Sequence, residues 1–217
     1  MQLFLDTADI TTIKQYEHLL DGITTNPTHL ARTKTNPTAT IKEICALMHP
    51  RPVSVEVTLK EPEAVYAQAH NIAALADNIV VKIPCAAEYL EIIKRLETAG
   101  IPINVTLVFT LSQALMACKQ GATYISPFIG RWDDIEVKGA RILPAVRDMI
   151  DAYNYKSLLL AASLRSVNHV HDAITSQVDI ATLPPELLEK MANHPLTKQG
   201  MELFSKDWHT AFTGQFP

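Results

Sequence analysis

The chain has 217 residues, 47% hydrophobic and 19% charged, enough for one large domain burying roughly 70% of its unfolded surface. A formal net charge of −4 without a Lys/Arg cluster excludes a broad nucleic-acid footprint, though a few arginines still suffice to bind a small anion. Cys45, Cys85 and Cys118 are odd in number and lack CxxC spacing, which fits a reducing compartment and not a disulfide framework.

Met1-Gln2-Leu3-Phe4-Leu5-Asp6 has no basic n-region, and no later apolar run is long enough to span a bilayer, so a cytoplasmic protein without membrane contact is expected. From there, short apolar runs alternate with helical patterns. Residues 2–5, 22–24, 53–57, 79–83, 103–107, 123–126, 158–162 and 178–181 read as strands. Helical patterns lie between them at residues 9–20, 38–48, 61–75, 86–99, 111–119, 134–151 and 166–176. In residues 86–99, Ala86, Leu90, Ile93 and Leu96 share one face, and Gly100-Ile101-Pro102 ends the helix. Eight strand–helix alternations imply parallel strands joined by right-handed crossovers, and eight strands close a (β/α)₈ barrel. An open doubly wound sheet is the runner-up, weakened by the lack of a GxGxxG or GxxxxGK[ST] loop. The whole chain, 1–217, then forms one barrel domain. Residues 194–217 are a surplus helical extension, with Phe204, Trp208 and Phe212 able to cover the barrel base or dock on a neighbouring subunit.

Within Ile79-Val80-Val81-Lys82-Ile83-Pro84, a lysine interrupts a strand that reads as buried on both faces. A buried ammonium needs a partner or a chemical reason, and desolvation moves a lysine toward the neutral amine that attacks carbonyls. Other polar residues fall at the same end of the strands: Asp6, Asn26, Glu56, Asn104, Thr106, Ser126, Ser163 and Arg165. Barrel active sites are built at that carboxyl-end mouth. Plainer readings stand beside this one. Asp6-Thr7 suits a helix cap, Asn26-Pro27 a turn, Glu56 a structural pairing with Lys82, and Arg131 a loop arginine. Arg131 with Ser163 and Arg165 also suits an anion, since guanidinium forks match phosphate oxygens. His169 and His171, two apart, lie on different helix faces, and all eight histidines read as surface or structural, with no metal-ligand pattern.

Nine segments in order resemble the transaldolase family in its small form, which includes the fructose-6-phosphate aldolases. They include Leu5-Asp6-Thr7-Ala8, Gly22-Ile23-Thr24-Thr25-Asn26-Pro27, Val55-Glu56-Val57, Val80-Val81-Lys82-Ile83-Pro84 and Asn104-Val105-Thr106-Leu107. Ile125-Ser126-Pro127-Phe128-Ile129-Gly130-Arg131, Asp133-Asp134, Ala162-Ser163-Leu164-Arg165 and Asp179-Ile180-Ala181-Thr182-Leu183-Pro184 complete the set. The resemblance implies a Schiff base at Lys82, proton transfer at the breaking bond by Asp6, and acid/base work by Glu56 through a water held with Thr106. It implies that Asn26, Asn104 and Ser126 hold the dihydroxyacetone hydroxyls and that Arg131, Ser163 and Arg165 grip the sugar phosphate. No metal and no organic cofactor is implied. The implied partners are sugar-phosphate substrates of the pentose phosphate pathway and copies of the chain in a pentamer or decamer, whose C-terminal helix packs on a neighbour. Glu56 and Phe128 resemble the transaldolases, where the aldolase subgroup typically has Gln and Tyr. The alternatives are an aldolase releasing free dihydroxyacetone, a non-catalytic sugar-phosphate-binding barrel and a tail-mediated scaffold.

Overall fold

The computed structural model describes residues 1–212. Eight parallel strands follow one another in sequence order, and the last hydrogen-bonds back to the first. They are β1 (Gln2–Asp6), β2 (Gly22–Thr24), β3 (Val53–Glu56), β4 (Ile79–Pro84), β5 (Ile103–Val108), β6 (Tyr124–Pro127), β7 (Leu158–Ala161) and β8 (Ile180–Leu183). The helices are α1 (Ile10–Tyr16), α2 (Pro27–Thr33), α3 (Pro37–Met48), α4 (Pro62–Ala73), α5 (Leu90–Thr98) and α6 (Leu111–Lys119). After them come α7 (Ile129–Asp133), α8 (Ile142–Ala152), α9 (Val167–Thr175), α10 (Pro185–Ala192) and α11 (Pro195–Ala211). Pairing of Gln2 through Leu5 with Ile180 through Leu183 closes the (β/α)₈ barrel and eliminates the open sheet.

Side chains alternate across a strand, so one parity faces the barrel axis and the other faces the helices. Here the inward positions are even-numbered. Phe4, Val80, Tyr124, Leu160 and Ile180 form a buried apolar floor, with Phe4 and Tyr124 packed edge to face at 6.1 Å between centroids. Gly22 sits under Phe4, where an added Cβ would lie 2.6 Å from the ring. One step further along the strands the inward positions turn polar: Asp6, Thr24, Glu56, Lys82, Asn104, Ser126 and Thr182. The odd positions, among them Leu5, Ile23, Val55, Val81, Ile83, Val105 and Ile125, join the helices in the outer core. Each such side chain gains about 1.5–3 kcal/mol from leaving water.

The helices expected at residues 9–20 and 86–99 are shorter, α1 and α5 each adjoining a 3₁₀ turn (Glu17–Leu19 and Ala87–Tyr89). Three further elements depart from the sequence expectation. Residues 134–151 do not form one helix. The chain turns after α7, with Glu136 at φ +61° and Asp133 accepting a hydrogen bond from the Gly139 N–H at 3.1 Å, before α8 begins. The Asn26-Pro27 pair opens a helix instead of a plain turn. Asn26 caps α2 by accepting from the His29 N–H at 2.9 Å, and Pro27 takes the first position, where no N–H is needed. The eighth strand runs two residues later than expected, because Asp179 ties its entry to Arg147 and to the Leu159 N–H, each at 2.7 Å. In the surplus region α10 buries Leu187 and Leu188, whereas no residue of α11 is buried. Residues 213–217 of the expected extension lie outside the described residues.

Candidate active site

Lys82 is 4% exposed and reaches into the mouth from β4. Its Nζ lies 3.0 Å from Glu56 Oε2 on the neighbouring strand and donates to the Thr25 carbonyl oxygen at 3.2 Å. Glu56 and Lys82 are register partners across β3 and β4, so the sheet itself sets the ion pair. The Phe128 ring centroid is 5.8 Å from the same nitrogen. A cation drawn this far out of water is held by a carboxylate, a carbonyl dipole and a ring face, and proton transfer to Glu56 would free the amine.

Asp6 stands across the mouth. Its Oδ1 accepts from the Thr24 hydroxyl at 2.8 Å, and Thr24 in turn contacts the Thr182 hydroxyl at 2.6 Å. His29 Nε2 lies 3.4 Å from Oδ2. Burial pushes the Asp6 carboxyl up, but the His29 ring, the Lys82 charge and the Thr24 hydroxyl together outweigh it and hold the group below the usual carboxylate range. Asp6 does not cap α1. That role belongs to Asp9, which accepts from the Thr11 N–H.

Asn104 and Ser126 form a buried polar chain: Ser126 donates to Asn104 Oδ1 at 2.6 Å, and Asn104 donates to Ser54 Oγ at 3.1 Å. Asn26 lines the mouth while capping α2. Arg131, Ser163 and Arg165 line the far rim, Arg131 with its guanidinium 5.3 Å from the Phe128 ring centroid. Arg165 pairs with both oxygens of Asp134, and this partner keeps the Asp134 carboxyl low. The rim depends on Gly130, where a Cβ would stand 2.2 Å from the Ser163 carbonyl oxygen. Without one, the Gly130 N–H donates to that oxygen at 3.0 Å and ties α7 to the loop bearing Ser163 and Arg165.

Every candidate except Thr106 lines one cavity of about 370 Å³. Thr106 is completely buried, and its Oγ1 has no protein partner. A register shift between Val105 and Val108, with Leu107 at φ +55°, puts Leu107 in the cavity wall instead. The sequence reading missed Thr24, Thr182, His29 and Arg32, all of which line the mouth. Inward parity on β2 and β8 would have flagged the two threonines. His29 required knowing that a helix starts at Pro27; read from sequence only as surface or structural with the other histidines, it lines the mouth.

A family model described as transaldolase/fructose-6-phosphate aldolase matches residues 3–214. A protein of Bartonella quintana (strain Toulouse) is 42% identical over 217 residues, with 99% of each chain covered. One of Rhizobium meliloti (strain 1021) is 43% identical over 217 residues with the same coverage, and one of Lactiplantibacillus plantarum is 46% identical over 210 residues, 96% of each chain. All three are named "Probable transaldolase". Among solved structures, KGPDC from Streptococcus mutans superposes with a TM-score of 0.62 at 15% identity, over 87% of this chain and 89% of that one. A ligand complex of the same enzyme gives 0.58 at 14% identity, over 84% and 87%. At that identity the likeness is one of fold.

Proposed function

The chain belongs to the transaldolase/fructose-6-phosphate aldolase family, and on that footing we propose that it transfers a dihydroxyacetone unit between sugar phosphates through a Schiff base on Lys82. The observation carrying this reading is a lysine nitrogen buried in the barrel mouth, 3.0 Å from Glu56, in the same cavity as Asp6.

Lys82 passes a proton to Glu56, and the free amine attacks the ketose carbonyl of fructose 6-phosphate or sedoheptulose 7-phosphate. Glu56 returns that proton as the carbinolamine loses water. A water beside Glu56 serves as the relay; the Thr106 hydroxyl, buried behind the cavity wall, is left without a protein partner and has no direct part in it. Asn26, Asn104 and Ser126 hold the hydroxyls of the retained three-carbon unit. Arg131, Ser163 and Arg165 take the phosphate at the other rim.

Asp6 accepts the C4 hydroxyl proton as the C3–C4 bond breaks. The bonding electrons move into the iminium to give an enamine, and an aldose phosphate leaves. The acceptor (erythrose 4-phosphate or glyceraldehyde 3-phosphate) is attacked at its aldehyde carbon. Its oxygen takes the proton back from Asp6, and hydrolysis frees the new ketose. Phe128 offers no hydroxyl beside Lys82 to deliver a proton to the enamine, which favours transfer over release of free dihydroxyacetone.

Borohydride with fructose 6-phosphate is expected to add mass at Lys82, and Lys82→Ala to lose turnover by at least about a thousandfold. Normal turnover in that variant would overturn the proposal. Omitting erythrose 4-phosphate should leave little free dihydroxyacetone, whereas an aldolase would release it at the full rate.

A further inference from the structure

We infer that His29 is a positioning residue for the carbon–carbon step, its ring orienting the Asp6 carboxylate and stabilising the carboxylate's charge. This rests on the reading above, in which Asp6 exchanges the C4 hydroxyl proton. The two carboxylate oxygens have different neighbours: Thr24 donates to Oδ1 at 2.8 Å, and His29 Nε2 faces Oδ2 at 3.4 Å. The histidine and aspartate side chains are only 20% and 24% exposed, so solvent screens the contact weakly. The backbone that carries the ring is fixed, since the His29 N–H is the one that Asn26 accepts to cap α2. Asn26 thereby links substrate binding to the placement of the Asp6 neighbour. Catalytic contacts of this length in an unliganded site commonly tighten when substrate arrives.

The chemistry calls for such a residue. A carboxylate in a half-buried mouth drifts toward its neutral form, which cannot accept the C4 hydroxyl proton. Of the influences that hold Asp6 ionised, those of the His29 ring are the largest, ahead of Lys82 and Thr24. No proton needs to pass through His29. The substrate proton moves to Asp6 on cleavage and from Asp6 to the acceptor aldehyde oxygen on bond formation. The charged groups lining the cavities around the pair are Arg32 on α2, Asp9 ahead of α1, Glu43 on α3, Glu186 on α10, Glu56 on β3, Lys82 on β4, Arg131 on α7 and Arg165 after β7. All eight persist in the variants below, so differences report on the ring alone.

The test is the pH dependence of kcat/KM for transfer from fructose 6-phosphate to erythrose 4-phosphate. His29→Leu is expected to move the acid limb upward by about one pH unit, with about a tenfold loss at the acid end. His29→Gln, whose amide nitrogen reaches the place of Nε2, should bring the limb back toward wild type. Borohydride trapping at Lys82 should survive in His29→Leu, because imine formation precedes the Asp6 step. An unmoved acid limb in His29→Leu overturns the inference, and so does loss of imine trapping. Asp6→Asn separates this failure from that of the underlying reading. Wild-type turnover in Asp6→Asn would remove the role of Asp6 itself, whereas an inactive Asp6→Asn with an unmoved His29→Leu limb removes only that of His29.

Discussion

Thr24 and His29 approach different oxygens of Asp6, and Lys82 adds its charge from across the cavity. Because these contacts hold the folded-state pKa below the unfolded value, Asp6 contributes stability above about pH 3.9, and that contribution is lost as pH falls through the folded value. Asp6→Asn lacks this titration. Its unfolding free energy, followed by denaturant titration from neutral pH to pH ~3, should therefore fall less steeply than that of the wild type. A parallel decline would mean that Asp6 is not held ionised by its neighbours. Lys82 was legible from sequence because a lone charge among β-branched residues is costly enough to stand out. His29 was not, since nothing in Asn26-Pro27-Thr28-His29 says whether the chain turns or coils.

At the scale of elements, the rim proposed to take the phosphate depends on how closely α7 meets the loop after β7. Gly130 allows that approach, and the Ser163 oxygen it meets is backbone that cannot swing aside. Gly130→Ala should push the loop outward and raise KM for fructose 6-phosphate about tenfold, at a stability cost of about 1–3 kcal/mol. Steady-state kinetics with a denaturant titration measures both, and an unchanged KM would detach the rim from phosphate binding. The sequence showed the strands and most helices through their periodicity. It hid the break at residues 134–141, because a left-handed residue at Glu136 and the Asp133 side chain accepting from the Gly139 N–H leave no mark on the spacing of apolar residues. The bulge at Leu107 was equally invisible, although it decides whether Thr106 or its neighbour faces the cavity.

For the whole molecule, the eightfold alternation was enough to expect a closed barrel, and the shared parity of eight strands explains why scattered polar residues gather in one mouth. The unburied helix α11 presents Leu196, Met201, Leu203 and Phe204 to the outside, each more than half exposed. We propose that copies of the chain assemble through it. Removing residues 195–217 should then lower the sedimentation coefficient to that of a smaller species while leaving the far-ultraviolet signal of the barrel. An unchanged assembly after truncation would place the contact elsewhere. No helix among the described residues is long and apolar enough to cross a membrane.

The apolar floor beneath Lys82 has a consequence for the order of events. Phe4, Val80, Tyr124, Leu160 and Ile180 plug the barrel from below, so the reaction chamber is a cup and not a tunnel. Visitors therefore enter and leave on the side of the strand carboxyl ends. Under the transfer proposed above, this would impose a queue: the departing aldehyde would clear the entrance before the incoming one is admitted, with three carbons tethered to the lysine in between.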